Sequence, residues 1–133
     1  MNRHQAREFV LRALYQREFV DTPLSEMLSE VDPNDQRDYI ERLFSGIISR
    51  REKLDAVLGT HTIGWRFERL GLIDRNILRL GAYELLYMRD EIPPEVAIDE
   101  AVELAKTYGT EKAQVFINGI LDRLLKEGKE GES

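Results

Sequence analysis

Apolar residues recur at helical intervals along most of the chain. In residues 3–16, RHQAREFVLRALYQ, a turn of about 100° per residue gathers Ala6, Phe9, Val10, Leu11, Ala13 and Leu14 into one broad arc. His4, Gln5, Glu8, Arg12, Tyr15 and Gln16 fall mostly opposite. In 94–107 the same spacing aligns Ala97, Ile98, Ala101, Val102 and Ala105, with Tyr108 just past the end. That stripe of small residues suits close packing. In the last helical stretch the arc is Ala113, Ile117, Ile120, Leu121 and Leu124. The segment LIDRNILRLGAYELLYM differs, being apolar almost all the way round. Such a helix is central to a bundle, or keeps one apolar face for a partner, or does both. There is no sustained period-two alternation and no Asn-Gly or Asp-Gly hairpin turn, so strands are not expected.

Punctuation divides the pattern into seven predicted helices: 3–19, 23–30, 34–49, 51–60, 73–88, 94–107 and 111–126. Thr22-Pro23 and Asp32-Pro33 each read as an N-cap followed by proline at the first helical position. Gly109-Thr110 reads as a C-cap glycine beside the next helix's N-cap. The third and fourth helices meet at Arg50 and could equally form one bent helix. The stretch GTHTIGWRFERLG, residues 59–71, contains three glycines and breaks the period, so it is expected to be a hinge. The expectation is an all-α fold, a single domain over 1–133. Two small helical subdomains, about 3–60 and about 72–126, form one compact bundle, and 127–133 is a frayed tail.

Composition narrows the function. With 133 residues, 42% hydrophobic and 33% charged, the chain can bury a core of its own. The absence of cysteine excludes disulfides, thiolate metal sites and cysteine nucleophiles. Apolar runs fall far short of a membrane span and there is no apolar signal core at the start, so a cytoplasmic protein without a membrane partner is expected. The net charge of −6 disfavours a general nucleic-acid binder. Charge is uneven, however. Residues 1–20 hold four arginines and a histidine against two glutamates, and a local basic patch acts at short range whatever the total.

Two features invite chemistry. Arg3 and Arg7 lie inside the apolar arc of the first helix, and Arg7 is in line with Leu14. A buried guanidinium needs a partner. Glu84, between Ile77 and Leu80 on its own helix, is one candidate. The other possibility is that this end of the helix opens onto a surface where Arg3, His4 and Arg7 meet phosphates. On the last helix, Phe116 borders the core arc beside Lys112, Gly119 and Arg123, with Gln114 and Asn118 on a neighbouring face. The ring is either an ordinary border residue or a platform for an unpaired base, because bases stack on rings while cations hold phosphates. Enzymatic readings do poorly. His4 and His61 are the only histidines, and there is no Glu-x-x-His, no phosphate-binding glycine loop and no nucleophile elbow. Asp99, Glu100 and Glu103 read as a solvated face. No catalytic residue, metal or cofactor is expected.

RHQAREFVLRALYQ resembles the opening helix of the transcription antitermination factor NusB family. LIDRNILRLGAYELL and IPPEVAIDEAVELAKTYGTEKAQVFINGILDRL are similar to that family's C-terminal part. The resemblance covers 3–16 and 72–125 well, and 20–60 mainly in helical character. It implies a non-enzymatic factor that binds single-stranded boxA-type RNA of ribosomal RNA operons. It also implies a ribosomal protein partner, NusE, and an RNA polymerase elongation complex that the pair joins. A homodimer of the free protein could cover the RNA strip. By the same resemblance, Arg3, His4 and Arg7 hold phosphates, Phe116 stacks on a base, and Tyr15 adds a ring or hydroxyl. Lys112, Gln114 and Asn118 lie along the RNA path. Asp74, Arg79 and Glu84 are the polar members of a partner-binding surface on the helix 73–88. RHQAR is a thinner basic run than relatives often carry, and Lys112 stands where an acidic residue is common. Two competing readings are an accessory domain, like that preceding the catalytic part of some ribosomal RNA methyltransferases, and a helical module that binds only protein.

Overall fold

The computed structural model describes residues 1–62, 64 and 66–131, with side chains through Glu127. The helices are α1 (Arg3–Arg17), α2 (Leu24–Leu28), α3 (Arg37–Ser49), α4 (Arg51–Thr60), α5 (Leu72–Tyr87), α6 (Pro94–Tyr108) and α7 (Ala113–Gly131). Single 3-10 turns at Asn34–Gln36 and Phe67–Arg69 precede α3 and α5. The fold is all-α, as the periodicity predicts, and no strand occurs among the described residues.

Local chemistry sets the boundaries. A capping box starts α1: the Asn2 side chain accepts from the Gln5 N–H at 2.8 Å, and the Gln5 side chain accepts from the Asn2 N–H at 2.8 Å. Pro23 is itself a cap, so α2 starts at Leu24, one residue later than predicted; Pro33 caps a 3-10 turn at Asn34–Gln36, and the α-helix predicted from 34 begins at Arg37. Asp32 still contributes, its carboxylate accepting from the Asn34 N–H at 3.2 Å. The second helix shrinks to five residues. At Arg50 the backbone leaves the helical region (φ −113°, ψ 17°), so α3 and α4 are separate helices. Helix α7 runs on to Gly131, into the stretch expected to fray; residues 132 and 133, and hinge residues 63 and 65, lie outside the described residues.

Helix α5 is central. It packs against α1, α3 and α4 on one side and α6 and α7 on the other, and every residue from Asn76 to Leu85 is buried. One apolar cluster runs from Ala6 to Leu124 across all of these helices. Close approach is enforced at Gly46 on α3, where an added Cβ would lie 2.1 Å from the Tyr83 ring of α5. The α6–α7 corner turns at Gly109 in an extended conformation (φ −84°, ψ −179°), where a Cβ would meet Asp74 Oδ1 at 2.8 Å. Glycine is needed there for space, since this backbone conformation is open to any residue.

Candidate nucleic-acid interface

Three polar residues of α5 recur every five positions: Asp74, Arg79 and Glu84. At about 100° per residue they project about 140° apart, one towards each side of the helix. Each meets a different neighbour. Arg7 of α1 donates through Nε to both Glu84 oxygens, at 3.1 and 3.2 Å, and the Tyr39 hydroxyl of α3 donates to Glu84 Oε2. Arg79 donates to both oxygens of Asp55 on α4, at 2.7 and 2.9 Å, and to Asn76 Oδ1 at 2.8 Å. Asp74 accepts from the Thr110 hydroxyl at 3.1 Å and from its N–H, tying down the α6–α7 corner. All three are buried, Glu84 completely. Their expected place on a partner-binding surface is therefore corrected: they fasten α5 to the helices around it. The five-residue spacing in the sequence carried that information, because polar residues on three sides of an otherwise apolar helix cannot share one exposed face.

The same pair resolves the alternatives for Arg7. Its side chain is 2% exposed, so it is an interior ion-pair member and not a phosphate contact on the surface. Burial alone would lower its pKa, but the charge of Glu84, its hydrogen bond and the neighbouring Tyr39 and Glu100 together raise it, so the guanidinium stays protonated. Burial raises the Glu84 carboxyl above its ordinary value, with Arg7 and the Tyr39 hydroxyl opposing. Burial raises the Tyr39 phenol strongly, and the adjacent Glu84 charge adds to this.

Around this pair the basic end of α1 meets acids brought from distant sequence. The Arg3 guanidinium stacks 4.0 Å from the centre of the Tyr39 ring, donates to Gln36 at 2.6 Å and lies 3.6 Å from Glu91. Glu91 also accepts two bonds from Arg42, at 2.7 and 3.0 Å. His4 Nδ1 lies 3.0 Å from Glu100 Oε2, and the same oxygen is 3.7 Å from Arg7 Nη1. His4 Nε2 lies 3.7 Å from Glu8. The hydrogen bond with Glu100 raises the His4 pKa, against partial burial. Arg3, His4 and Arg7 are thus matched in space by Glu84, Glu91 and Glu100.

Lys112, in the turn before α7, and Asn118 on α7 are exposed, Gln114 is half-buried and Phe116 is 8% exposed. Phe116 is part of the core cluster and shows only the rim of its ring to solvent. Arg123, expected to flank that ring, instead donates to the His61 carbonyl at 3.1 and 2.8 Å. The α1 and α7 sets therefore do not form one open track of guanidinium groups and a benzyl ring. Helix α6 is common to both: it packs on α7 and is linked to α1 through His4–Glu100 and through the Tyr108 hydroxyl, which donates to Glu8 at 2.6 Å.

Open aromatic surface lies further along α1. Tyr15 (41% exposed) and Phe19 (67% exposed) stand edge to face, with ring centres 5.1 Å apart. With Arg12, Ile73 and Tyr108 they line a hollow of about 380 Å³. Arg12 is exposed and has no ion pair among the described residues. Of this group only Tyr15 was a sequence candidate. The signal was present, since residues 12, 15, 16 and 19 share one helical face.

Comparison with known proteins agrees with this architecture. Residues 4–126 match the family model described as the NusB family. The transcription antitermination protein NusB of Listeria monocytogenes is 36% identical over 129 residues, covering 97% of this chain and 100% of that protein. The structure of T. maritima NusB superposes with a TM-score of 0.84 at 39% identity, covering 100% and 99% of the two chains. A crystal structure of antitermination factors NusB and NusE in complex with dsRNA gives 0.79 at 28% identity, covering 96% and 99%. A fold organised around a buried α5, matched over nearly its whole length in sequence and in structure, places this chain in the NusB family.

Proposed function

We propose that the chain is a non-enzymatic transcription antitermination factor that binds single-stranded boxA-type RNA of ribosomal RNA operons together with NusE. The observation that carries the reading is the hollow on α1, where the exposed rings of Tyr15 and Phe19 stand beside the unpaired Arg12. Rings open to solvent next to a free guanidinium suit bases that have left a helix, because each base offers a face to stack and each phosphate a charge to hold. The neighbour in which NusB and NusE are joined to RNA supports both partners. Relatives that match over their full length bear the antitermination name, which favours this reading over an accessory domain of a methyltransferase.

In this proposal Tyr15 stacks on a base, and Arg12, Arg3 and His4 hold phosphates. Lys112, Gln114 and Asn118 extend the path along α7, with Phe116 offering only the rim of its ring. Arg7 acts indirectly, by holding α1 against α5. The pair formed with NusE then joins the RNA polymerase elongation complex, and a homodimer of the free protein would cover the RNA strip.

The test is RNA binding by wild type and Tyr15→Ala, alone and with NusE. Loss of one stacked base predicts about 1–3 kcal/mol weaker binding of single-stranded RNA. Unchanged affinity in a folded variant would remove Tyr15 from the site. Tighter binding of duplex than of single strand would overturn the stacking reading.

A further inference from the structure

The cations at the start of α1 are not free to meet a phosphate. Glu91, in the turn before α6, holds Arg42 at 2.7 Å and reaches Arg3 at 3.6 Å. Glu100, on α6, holds His4 at 3.0 Å and reaches Arg7 at 3.7 Å. Glu91 bridges Arg3 of α1 and Arg42 of α3, Glu100 bridges His4 and Arg7 of α1, and all but Arg7 are partly open to solvent. We propose that Glu91 and Glu100 are specificity-determining residues of the RNA site: they occupy the cations that a phosphate would use, so that only an RNA able to displace them binds well.

The inference rests on the RNA-binding reading and adds a consequence to it. A half-exposed ion pair contributes little to stability, so a phosphate can replace the carboxylate. The displaced carboxylate stays attached to the protein within a few ångströms, where it repels the incoming phosphate within the screening length. A ligand must therefore find favourable interactions elsewhere to overcome two repulsive charges. RNA whose bases also stack in the α1 hollow can do so; duplex DNA, whose base faces are closed inside the helix, cannot. Discrimination through a built-in repulsive element follows directly. It also accounts for the position of these acids: Arg3 and His4 are already packed, on Tyr39 and beside Glu8, without Glu91 or Glu100.

The experiment measures binding of a fluorescein-labelled single-stranded boxA-type RNA and of a labelled duplex DNA by anisotropy, with full-length wild type, Glu91→Gln, Glu100→Gln and the double variant. Glu52→Gln, an exposed change on α4, makes the same change in net charge away from the basic end. The expected result is several-fold tighter binding of both probes by each variant, with a larger increase for duplex DNA, so that preference for the RNA falls. The slope of log affinity against log salt steepens by roughly one for every additional phosphate neutralised. Wild-type affinities in Glu91→Gln and Glu100→Gln, with folding verified by circular dichroism, would overturn the inference while leaving the RNA reading intact. An equal increase in Glu52→Gln would overturn it too, assigning the effect to total charge. Failure of every protein to bind RNA, alone or with NusE, would overturn the RNA reading and the inference with it.

Discussion

His4 shows how a single side chain reports on the basic end of α1. It lies against Glu100 and Glu8, and the bond with Glu100 lifts its pKa above the ordinary histidine value. A raised pKa in the folded state means that protonation favours folding. The stabilisation is complete below the ordinary histidine value and disappears as pH rises through the folded-state value. An NMR titration of wild type should therefore give a His4 midpoint above the unfolded reference, and Glu100→Gln should bring it down. A midpoint unaffected by Glu100→Gln would mean that the two groups are not in contact in solution. The sequence marked His4 as a candidate but not its acid partner, because 96 residues separate the two and only the placement of α6 joins them. Arg12 was missed for a different reason. It lies on the polar face of α1, where an exposed arginine is unremarkable until Tyr108 and Ile73 arrive from other helices to close the hollow.

At the scale of the element, α5 explains most of the architecture. Its all-round apolar pattern left a central position, a partner face or both as open readings, and burial from Asn76 to Leu85 gives the helix the central position. What pattern alone left unsaid is that a buried helix touching five others needs orientation as well as burial. Asp74, Arg79 and Glu84 supply it, through Thr110, Asp55 and the Arg7–Tyr39 pair. Arg7→Ala should cost about 3–5 kcal/mol in urea unfolding, since it strands a buried carboxylate, whereas Arg7→Met with Glu84→Leu should cost far less. Equal losses in the two would argue against an interior ion pair. The start at Pro23 shifted by one residue and the start after Pro33 became a 3-10 turn, because proline served as the cap, a choice that depends on backbone geometry more than on residue type.

For the whole molecule, the balance of charge matters more than the total. A chain of net charge −6 reads as a poor nucleic-acid binder, and its basic first twenty residues read as an exception. Folding narrows that exception by placing Glu84, Glu91 and Glu100 on Arg3, His4 and Arg7, which leaves Arg12, without an ion pair among the described residues, beside the aromatic hollow. The family likeness in 3–16 and 72–125 anticipated the all-α fold, because those stretches build α1 and the helices α5, α6 and α7. It anticipated the site less well. Residues named from the likeness divide into exposed ones, such as Tyr15 and Lys112, and buried ones, such as Arg7 and Glu84, and only packing separates them. The most direct measurement is a titration of isotope-labelled protein with single-stranded boxA-type RNA, followed by amide and aromatic NMR shifts. The account predicts the largest changes at Arg12, Tyr15, Phe19 and Tyr108, with smaller ones at Arg3 and His4 and little change at Asp55 or Arg79. Changes centred elsewhere, with the α1 hollow silent at saturation, would contradict it.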